Sequence, residues 1–136
     1  MVQYIRNRYI GDGYLKMSAN AVDPLKFLPL TPAVFHILLA LAEEERHGYA
    51  IMQVVTQNAG GQIKMGPGTL YGTIKRLLAL RLIEESGDRP DPKLDDERRR
   101  YYRLMSLGRR VLSAEVERYA RTLKVARASG VARGLA

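Results

Sequence analysis

The stretch from Gly66 to Ile83 combines residue types and helical spacing that suit contact with a polyanion. At helical spacing, an apolar stripe is formed by Leu70, Ile74, Leu77 and Leu78. The opposite side carries small and basic residues, namely Thr69, Gly72, Thr73 and Arg76, with Lys75 at its edge. Small residues let another surface come close, while hydroxyl and guanidinium groups hydrogen-bond phosphates and base edges. This face predicts contact with a DNA major groove. An ordinary amphipathic helix with a solvated polar side is the alternative.

Catalytic and metal-binding patterns are not supported. The sequence has no cysteine, which excludes a disulfide framework, a thiolate metal site and a cysteine nucleophile. The segment between Gly61 and Gly66 spaces two glycines like a phosphate-binding loop, but Pro67 stands where that motif needs lysine. His36 and His47 have no carboxylate at metal-ligand spacing. We therefore predict that the protein is not an enzyme and holds no metal or cofactor.

Charge and hydropathy indicate a soluble protein with a polyanionic partner. The 136 residues are 46% hydrophobic and 26% charged, and the formal net charge is +8. Such an excess favours nucleic acid or an anionic surface. No apolar run approaches the roughly 20 residues that span a bilayer. Asp12, Gly13 and Lys16 interrupt any secretory apolar region, so we expect a cytoplasmic protein. A membrane-surface role is disfavoured because the arginines of the last helix surround its apolar seam.

The elements that would position this face are three helices with short connections. Thr31 and Pro32 suit the start of a first helix, which ends in the acidic run Glu43–Glu45. A second helix is predicted from Tyr49 to about Asn58, and the third begins at Gly66-Pro67. Three such helices, the last with a small basic face, fit a helix-turn-helix core.

A β-hairpin wing is predicted after the third helix. Residues 82–86 are typical of a short strand, residues 87–93 form a proline-rich loop, and residues 100–104 alternate like a second strand. Acidic and basic residues nearly cancel in this region. The predicted wing role therefore rests on position rather than charge.

The last predicted helix begins after a capping Ser106 and runs to Arg127 or Ala128. Its apolar residues repeat as a short heptad seam, which predicts a homodimer. The seam consists of Leu112, Val116, Tyr119, Leu123 and Ala126. Packing of this helix back on its own domain is the competing interpretation. The predicted organisation is an N-terminal extension (1–28) that is disordered or forms a dimer arm, a winged domain (29–105), the dimerisation helix (106–128) and a frayed tail (129–136).

Taken together, these motifs resemble the PadR family of bacterial transcriptional regulators. The matching segments are Leu30-Thr31, Phe35-His36-Ile37-Leu38, His47-Gly48-Tyr49-Ala50-Ile51, Gly68-Thr69-Leu70-Tyr71, Lys75-Arg76-Leu77, Leu82-Ile83-Glu84 and residues 100–108. The resemblance implies a mainly α winged helix-turn-helix fold with a β-hairpin wing. It also implies a homodimer joined by the C-terminal helix, an inverted-repeat operator in double-stranded DNA, and repression. The single last helix is similar to the short subgroup of the family.

DNA-binding residues can be assigned on this basis. Thr69, Thr73 and Arg76 are expected at base edges, and Lys75 and Lys64 at phosphates. Tyr71 is expected either to touch phosphate or to seal the domain. Wing contacts are assigned to Arg89, Lys93 and Arg98.

An effector and an alternative function also follow from the resemblance. The family implies an aromatic or drug-like effector, for which Phe35, Tyr119 and Leu123 are candidate lining residues with a core role as the default. A winged helix-turn-helix domain can instead act as a protein-interaction adaptor without sequence-specific DNA binding. The small basic face of the third helix argues against the adaptor.

Overall fold

The computed structural model describes residues 22–90 and 98–132, without the side chain of Arg98. In chain order the elements are a 3-10 helix (Pro24–Phe27), α1 (Pro32–Glu43), β1 (Arg46–His47), α2 (Gly48–Asn58), α3 (Pro67–Ala79), β2 (Ile83–Pro90), β3 (Arg98–Leu104) and α4 (Ser106–Ala128). The predicted mainly helical winged fold is confirmed.

Helix α1 begins where its capping residues predict. The Thr31 hydroxyl accepts a hydrogen bond from the Val34 amide at 3.2 Å, and Pro32 occupies the first turn. At the other end, the Arg46 guanidinium donates from Nε to the Ala40 carbonyl at 2.9 Å. This bond satisfies one of the carbonyls that a helix C-terminus leaves unpaired.

The sheet has three antiparallel strands in the order β1-β3-β2. Strand β1 is absent from the sequence prediction because two residues are too few to show a period. Strand β2 also runs further than predicted, to Pro90, which pairs with Arg98. Proline is tolerated there because β2 is an edge strand. A bulge between Glu85 and Gly87 lets the hairpin continue through residues that the sequence assigns to a loop.

One hydrophobic core joins all four α-helices to the sheet. Its buried members are Ile37, Leu38 and Leu41 of α1, Ile51 and Val55 of α2, Leu70, Ile74 and Leu77 of α3, Leu82, Ile83 and Tyr102 of the wing, and Val111 and Leu112 of α4. Burial raises the pKa of the Tyr102 hydroxyl. The core therefore holds α3 through its buried side and α4 through its first turns.

Helix α4 begins differently from the prediction. Met105, not Ser106, is the cap residue, and its side chain makes no capping hydrogen bond. Instead the Met105 amide donates to the Leu82 carbonyl at 2.9 Å. A Cβ added to Gly108 would lie 2.9 Å from the Leu82 carbonyl carbon and closer still to its oxygen. Only glycine lets α4 approach the start of the wing this closely.

A buried carboxylate ties α4 to the chain ahead of α1. Glu115 is 0% exposed and accepts from the Leu30 amide at 2.8 Å. Arg118 donates to both carboxylate oxygens, at 2.5 and 3.1 Å. The hydrogen bond from Arg118 lowers the pKa of Glu115, against the opposing effect of burial. The carboxylate is therefore charged and satisfied although it is buried.

The end of the predicted N-terminal extension has a defined structure. Asp23 caps the 3-10 helix by accepting from the Leu25 amide at 2.9 Å, and this helix packs against α4. Arg110 of α4 donates to the Val22 carbonyl at 3.4 Å. Residues 1–21 lie outside the described residues, so the predicted arm or disordered terminus is not tested there. The predicted tail lies partly outside them as well, from residue 133 onward.

Candidate nucleic-acid interface

The buried side of α3 follows the predicted stripe. Leu70, Ile74 and Leu77 are all within the core, which confirms that part of the prediction. Gly66 occupies the cap position without a side-chain hydrogen bond, and Pro67 stands in the first turn. The helix thus starts at the glycine-proline pair, as predicted.

The opposite side of α3 is an exposed face of low relief. We call it the α3 face, and it consists of Gly68, Thr69, Gly72, Lys75 and Arg76. A Cβ added at Gly68 or Gly72 would meet no other part of the described chain within 4 Å. Small residues therefore leave open space beside two long cationic side chains.

Thr73 does not belong to this face. Its side chain is only 6% exposed, and its hydroxyl donates to the Thr69 carbonyl one turn earlier at 2.8 Å. The base contact assigned to Thr73 from the sequence is therefore corrected. Threonine has both a methyl and a hydroxyl group, and here the hydroxyl is satisfied within the helix while the side chain packs inward.

Three cations in and beside the α3 face remain available. Lys64, Lys75 and Arg76 are exposed. Within the described part of the chain, none of the three forms an ion pair with a carboxylate. Within residues 22–90 and 98–132, these cations therefore have no carboxylate partner to give up before they neutralise a phosphate.

Tyr71 lies on the flank of α3, between the core and the α3 face. Its side chain is 46% exposed. The ring occupies the space beside Gly48, the first residue of α2, where a Cβ would lie 2.7 Å from the ring Cζ. The side chain thus contacts its own domain and keeps an exposed surface. Both roles assigned from the sequence remain compatible with this position.

The three wing residues with assigned DNA contacts differ in what the structure shows of them. Arg89 pairs with Glu45, and its guanidinium carbon lies 3.8 Å from the centroid of the Tyr101 ring. The guanidinium therefore already has two partners within the protein. Lys93 lies outside the described residues, as does the side chain of Arg98, whose backbone begins β3.

Two other wing arginines are paired across the hairpin. Arg103 donates to Glu84 at 2.7 Å, and Arg100 lies 3.6 Å from Glu85. These pairs neutralise much of the charge at the wing base. The paired charges agree with a wing whose function depends on position rather than on net charge.

His47 has a structural role that the sequence prediction missed. Its Nδ1 accepts from the Ala50 amide at 3.1 Å, so it caps α2. The ring also packs edge-on against Tyr101, with centroids 5.3 Å apart. A polar residue directly before a helix that starts with glycine was the available signal, but histidine is not among the usual capping residues.

The predicted dimerisation residues on α4 divide into two groups. Leu112 belongs to the core of its own domain, so its assignment to the dimer seam is corrected. Val116 is 45% exposed, and Tyr119 is exposed as well. Leu123 and Ala126 are half-buried. The helix thus packs back on its own domain at its start and leaves apolar surface uncovered further along.

Of the three predicted effector residues, Phe35 and Tyr119 lie in contact with each other. The rings of Phe35 and Tyr119 are 4.8 Å apart, at an angle of 52°. Two surface grooves, of about 490 and 590 Å³, lie elsewhere. Neither groove is lined by Phe35, Tyr119 or Leu123.

The described residues offer neither a cluster of metal ligands nor a membrane-spanning helix. Across 22–90 and 98–132, no three histidine or acidic side chains come together in a way that could hold a metal ion. None of the helices described is both long and apolar enough to cross a bilayer.

Comparison with known proteins decides the family. The model of the Transcriptional regulator PadR-like family matches residues 37–114, more than half of the chain. The chain belongs to the PadR-like family. The match runs from α1 through the wing into the first part of α4, and so includes the whole α3 face.

Solved PadR structures are similar in fold. A PadR-like transcriptional regulator from Bacillus cereus superposes with a TM-score of 0.61 at 17% identity, covering 80% of this chain and 97% of that one. A PadR family regulator from Clostridium difficile gives a TM-score of 0.58 at 22% identity, covering 71% and 96%.

A sequence relative has a different length. An uncharacterised 37.1 kDa protein of a Streptomyces fradiae transposon is 36% identical over 85 residues, which is 62% of this chain. The matched segment spans only 22% of that relative.

Proposed function

We propose that this PadR-like protein is a sequence-specific DNA-binding regulator that represses transcription as a homodimer on an inverted-repeat operator in the cytoplasm. The observation that carries the proposal is the α3 face, in which Lys75 and Arg76, with no ion-pair partner among the described residues, stand beside two glycines. A protein-binding adaptor has no use for such a face. A DNA duplex requires both its charge and its low relief.

The α3 face would enter a major groove. Arg76 and Thr69 would contact base edges, because a guanidinium is the commonest donor to guanine and a hydroxyl suits any base. Lys75 and Lys64 would contact phosphates on either side. Gly72 would let the helix backbone come close to the floor of the groove.

The wing would contact the flanking duplex through a narrower set of residues than the sequence assigns. Lys93 and Arg98 remain the proposed contacts. Arg89 would have to leave Glu45 to bind a phosphate, so we propose that it supports the wing and does not contact DNA.

The homodimer would be formed through the uncovered part of α4. Val116, Tyr119, Leu123 and Ala126 are the proposed contacts. Two-fold symmetry would place half-sites about one helical turn, roughly 34 Å, or a multiple of it apart. A planar aromatic effector beside Phe35, Tyr119 and Leu123 would alter the spacing of the two α3 helices and release the operator.

Arg76 provides the residue-level test of this mechanism. The duplex would first be selected from random DNA by the wild-type protein. Replacing Arg76 by alanine is then expected to weaken binding to that duplex by about 1–3 kcal/mol and to relax preference at one base position. Arg121→Ala, which removes an exposed arginine from α4, is the matched control and should leave base preference unchanged.

The alternatives give different results in the same titration. Equal weakening on selected and scrambled duplexes would make Arg76 a phosphate contact. Wild-type protein that binds no duplex and enriches no sequence would favour the adaptor.

A further inference from the structure

The Tyr71 ring packs against Gly48, and neither α2 nor α3 needs this contact in order to form a helix. A Cβ at Gly48 would lie 2.7 and 2.8 Å from Cζ and Cε1 of Tyr71, and closer still to the hydroxyl oxygen. Real Cβ atoms do not approach other atoms so closely. Gly48 does not have a positive φ, so backbone conformation does not call for glycine. What calls for glycine here is the space that Tyr71 occupies.

This contact joins α3 to a rigid part of the domain. Gly48 is buried and follows His47, which caps α2 and pairs with Tyr101 in the sheet. Tyr71 therefore rests on the junction of β1 and α2, whose position the sheet fixes. The core stripe of α3 holds the helix through its buried side. The Tyr71 ring adds a second support on the flank, next to the α3 face.

The contact also lies at the right place on α3. Tyr71 is next to Gly72 and between Thr69 and Lys75 along the helix, so it adjoins the α3 face. A rotation of α3 about its own axis would move Thr69 and Arg76 together with respect to the groove. A displacement of about 1 Å is enough to lose a bidentate contact to a base.

We propose that Tyr71 is a positioning residue for sequence specificity, which fits against Gly48 and sets the rotation of α3, and that its hydroxyl is not a phosphate contact. This inference rests on the proposed function, since it assigns a role within the same interface. Specific binding needs the α3 face in one orientation. Non-specific binding depends on charge and needs no such precision.

The test compares four variants on two duplexes at several salt concentrations, with folding checked by circular dichroism. The duplexes are the one selected by wild-type protein and a scrambled version of it. The variants are Tyr71→Phe, Tyr71→Ala, Gly48→Ala and the double variant Gly48→Ala/Tyr71→Ala. If Tyr71→Ala is unfolded at the assay temperature, Tyr71→Leu replaces it in both the single and the double variant.

Tyr71→Phe keeps the ring, so its affinities and salt slopes should stay within about threefold of wild type, under 0.7 kcal/mol. Tyr71→Ala and Gly48→Ala should each lower the ratio of specific to non-specific affinity about tenfold or more. The double variant should be no worse than the poorer single variant, because both substitutions abolish one contact.

Four results would overturn the inference. If Tyr71→Phe loses as much as Tyr71→Ala and lowers the salt slope by about one, the hydroxyl binds a phosphate. If Tyr71→Ala weakens both duplexes equally, or if Gly48→Ala changes nothing, the contact does not set specificity. Wild-type protein that enriches no sequence at all would refute the proposed function itself, a result distinct from the others, and this inference would fall with it.

Discussion

Gly72 stands in the middle of α3, where glycine weakens a helix. Glycine in a helix interior costs about 0.5–1 kcal/mol relative to alanine, because its backbone loses more freedom. No other part of the described chain lies within 4 Å of the position that a Cβ would take. Packing within the described part of the domain therefore does not explain why this residue is glycine. Close approach of a second molecule explains it.

This gives a prediction in which stability and function move in opposite directions. Gly72→Ala should raise the free energy of unfolding by about 0.5–1 kcal/mol in urea denaturation. The same substitution should weaken binding to the selected duplex, since a methyl group would stand between the helix and the groove.

Thr56→Ala is the matched control. It also raises helix propensity at an exposed helical position, but it lies on α2 and is not part of the α3 face. It should leave DNA binding unchanged. Gly72→Ala with undiminished specific affinity would contradict close contact at this residue.

The two threonines of α3 show what helical spacing can and cannot predict about the exposure of a single residue. Helical spacing places both Thr69 and Thr73 opposite the leucines, and Thr69 is indeed exposed. Thr73 is buried instead, because its hydroxyl finds the Thr69 carbonyl and needs no solvent. Helical spacing alone does not predict whether a threonine is buried, because its side chain carries both a methyl and a hydroxyl group.

At the scale of elements, α4 has two parts with different surroundings. Its beginning is packed against the core through Val111 and Leu112, and Gly108 lets it approach Leu82. Further along, Val116 and Tyr119 are exposed. A heptad pattern predicts an apolar seam but does not say which partner covers it.

The boundaries of α1, α2 and α3 were predictable because caps, glycines and prolines mark them, whereas the short β1 and the Glu115 contact to Leu30 depend on residues far apart in the chain.

Glu115 makes the attachment of α4 dependent on pH. Because its pKa in the folded protein lies below the ordinary value of 4.5, the stability it adds is complete above about pH 4.5 and is lost as pH falls through the lower, folded-state pKa. Glu115→Gln should therefore reduce the free energy of unfolding at pH 7 by about 1–3 kcal/mol. The difference from wild type should shrink on acidification below pH 4.5.

Urea denaturation at pH 7, 4.5 and 3 measures both effects. Glu117→Gln, at an exposed position of the same helix, is the control and should change little at any pH. A Glu115→Gln deficit that stays constant from pH 7 to 3 would show that the charge of Glu115 does not stabilise the fold.

At the scale of the whole molecule, recognition of an inverted repeat requires two copies of α3 at a fixed distance and orientation. Val116→Glu should dissociate the homodimer, because it places a charge in the proposed seam while Val116 is exposed enough within its own chain to leave the fold intact. Sedimentation equilibrium would record the change in mass. Affinity for an inverted repeat should fall with dimerisation, while affinity for a single half-site should not.

Val125→Glu introduces the same charge on the opposite face of α4, at a residue that is 68% exposed. It should leave the dimer intact. A monomeric wild-type protein, or equal dissociation by both variants, would reject the seam formed by Val116, Tyr119, Leu123 and Ala126.

The most direct test of the central claim is fluorescence anisotropy of the wild-type protein with the selected and the scrambled duplex over a series of salt concentrations. We expect tight binding to the selected duplex alone, with the logarithm of affinity falling linearly with the logarithm of salt concentration as counterions are released. Equal, weak binding to both duplexes would contradict sequence-specific recognition by the α3 face.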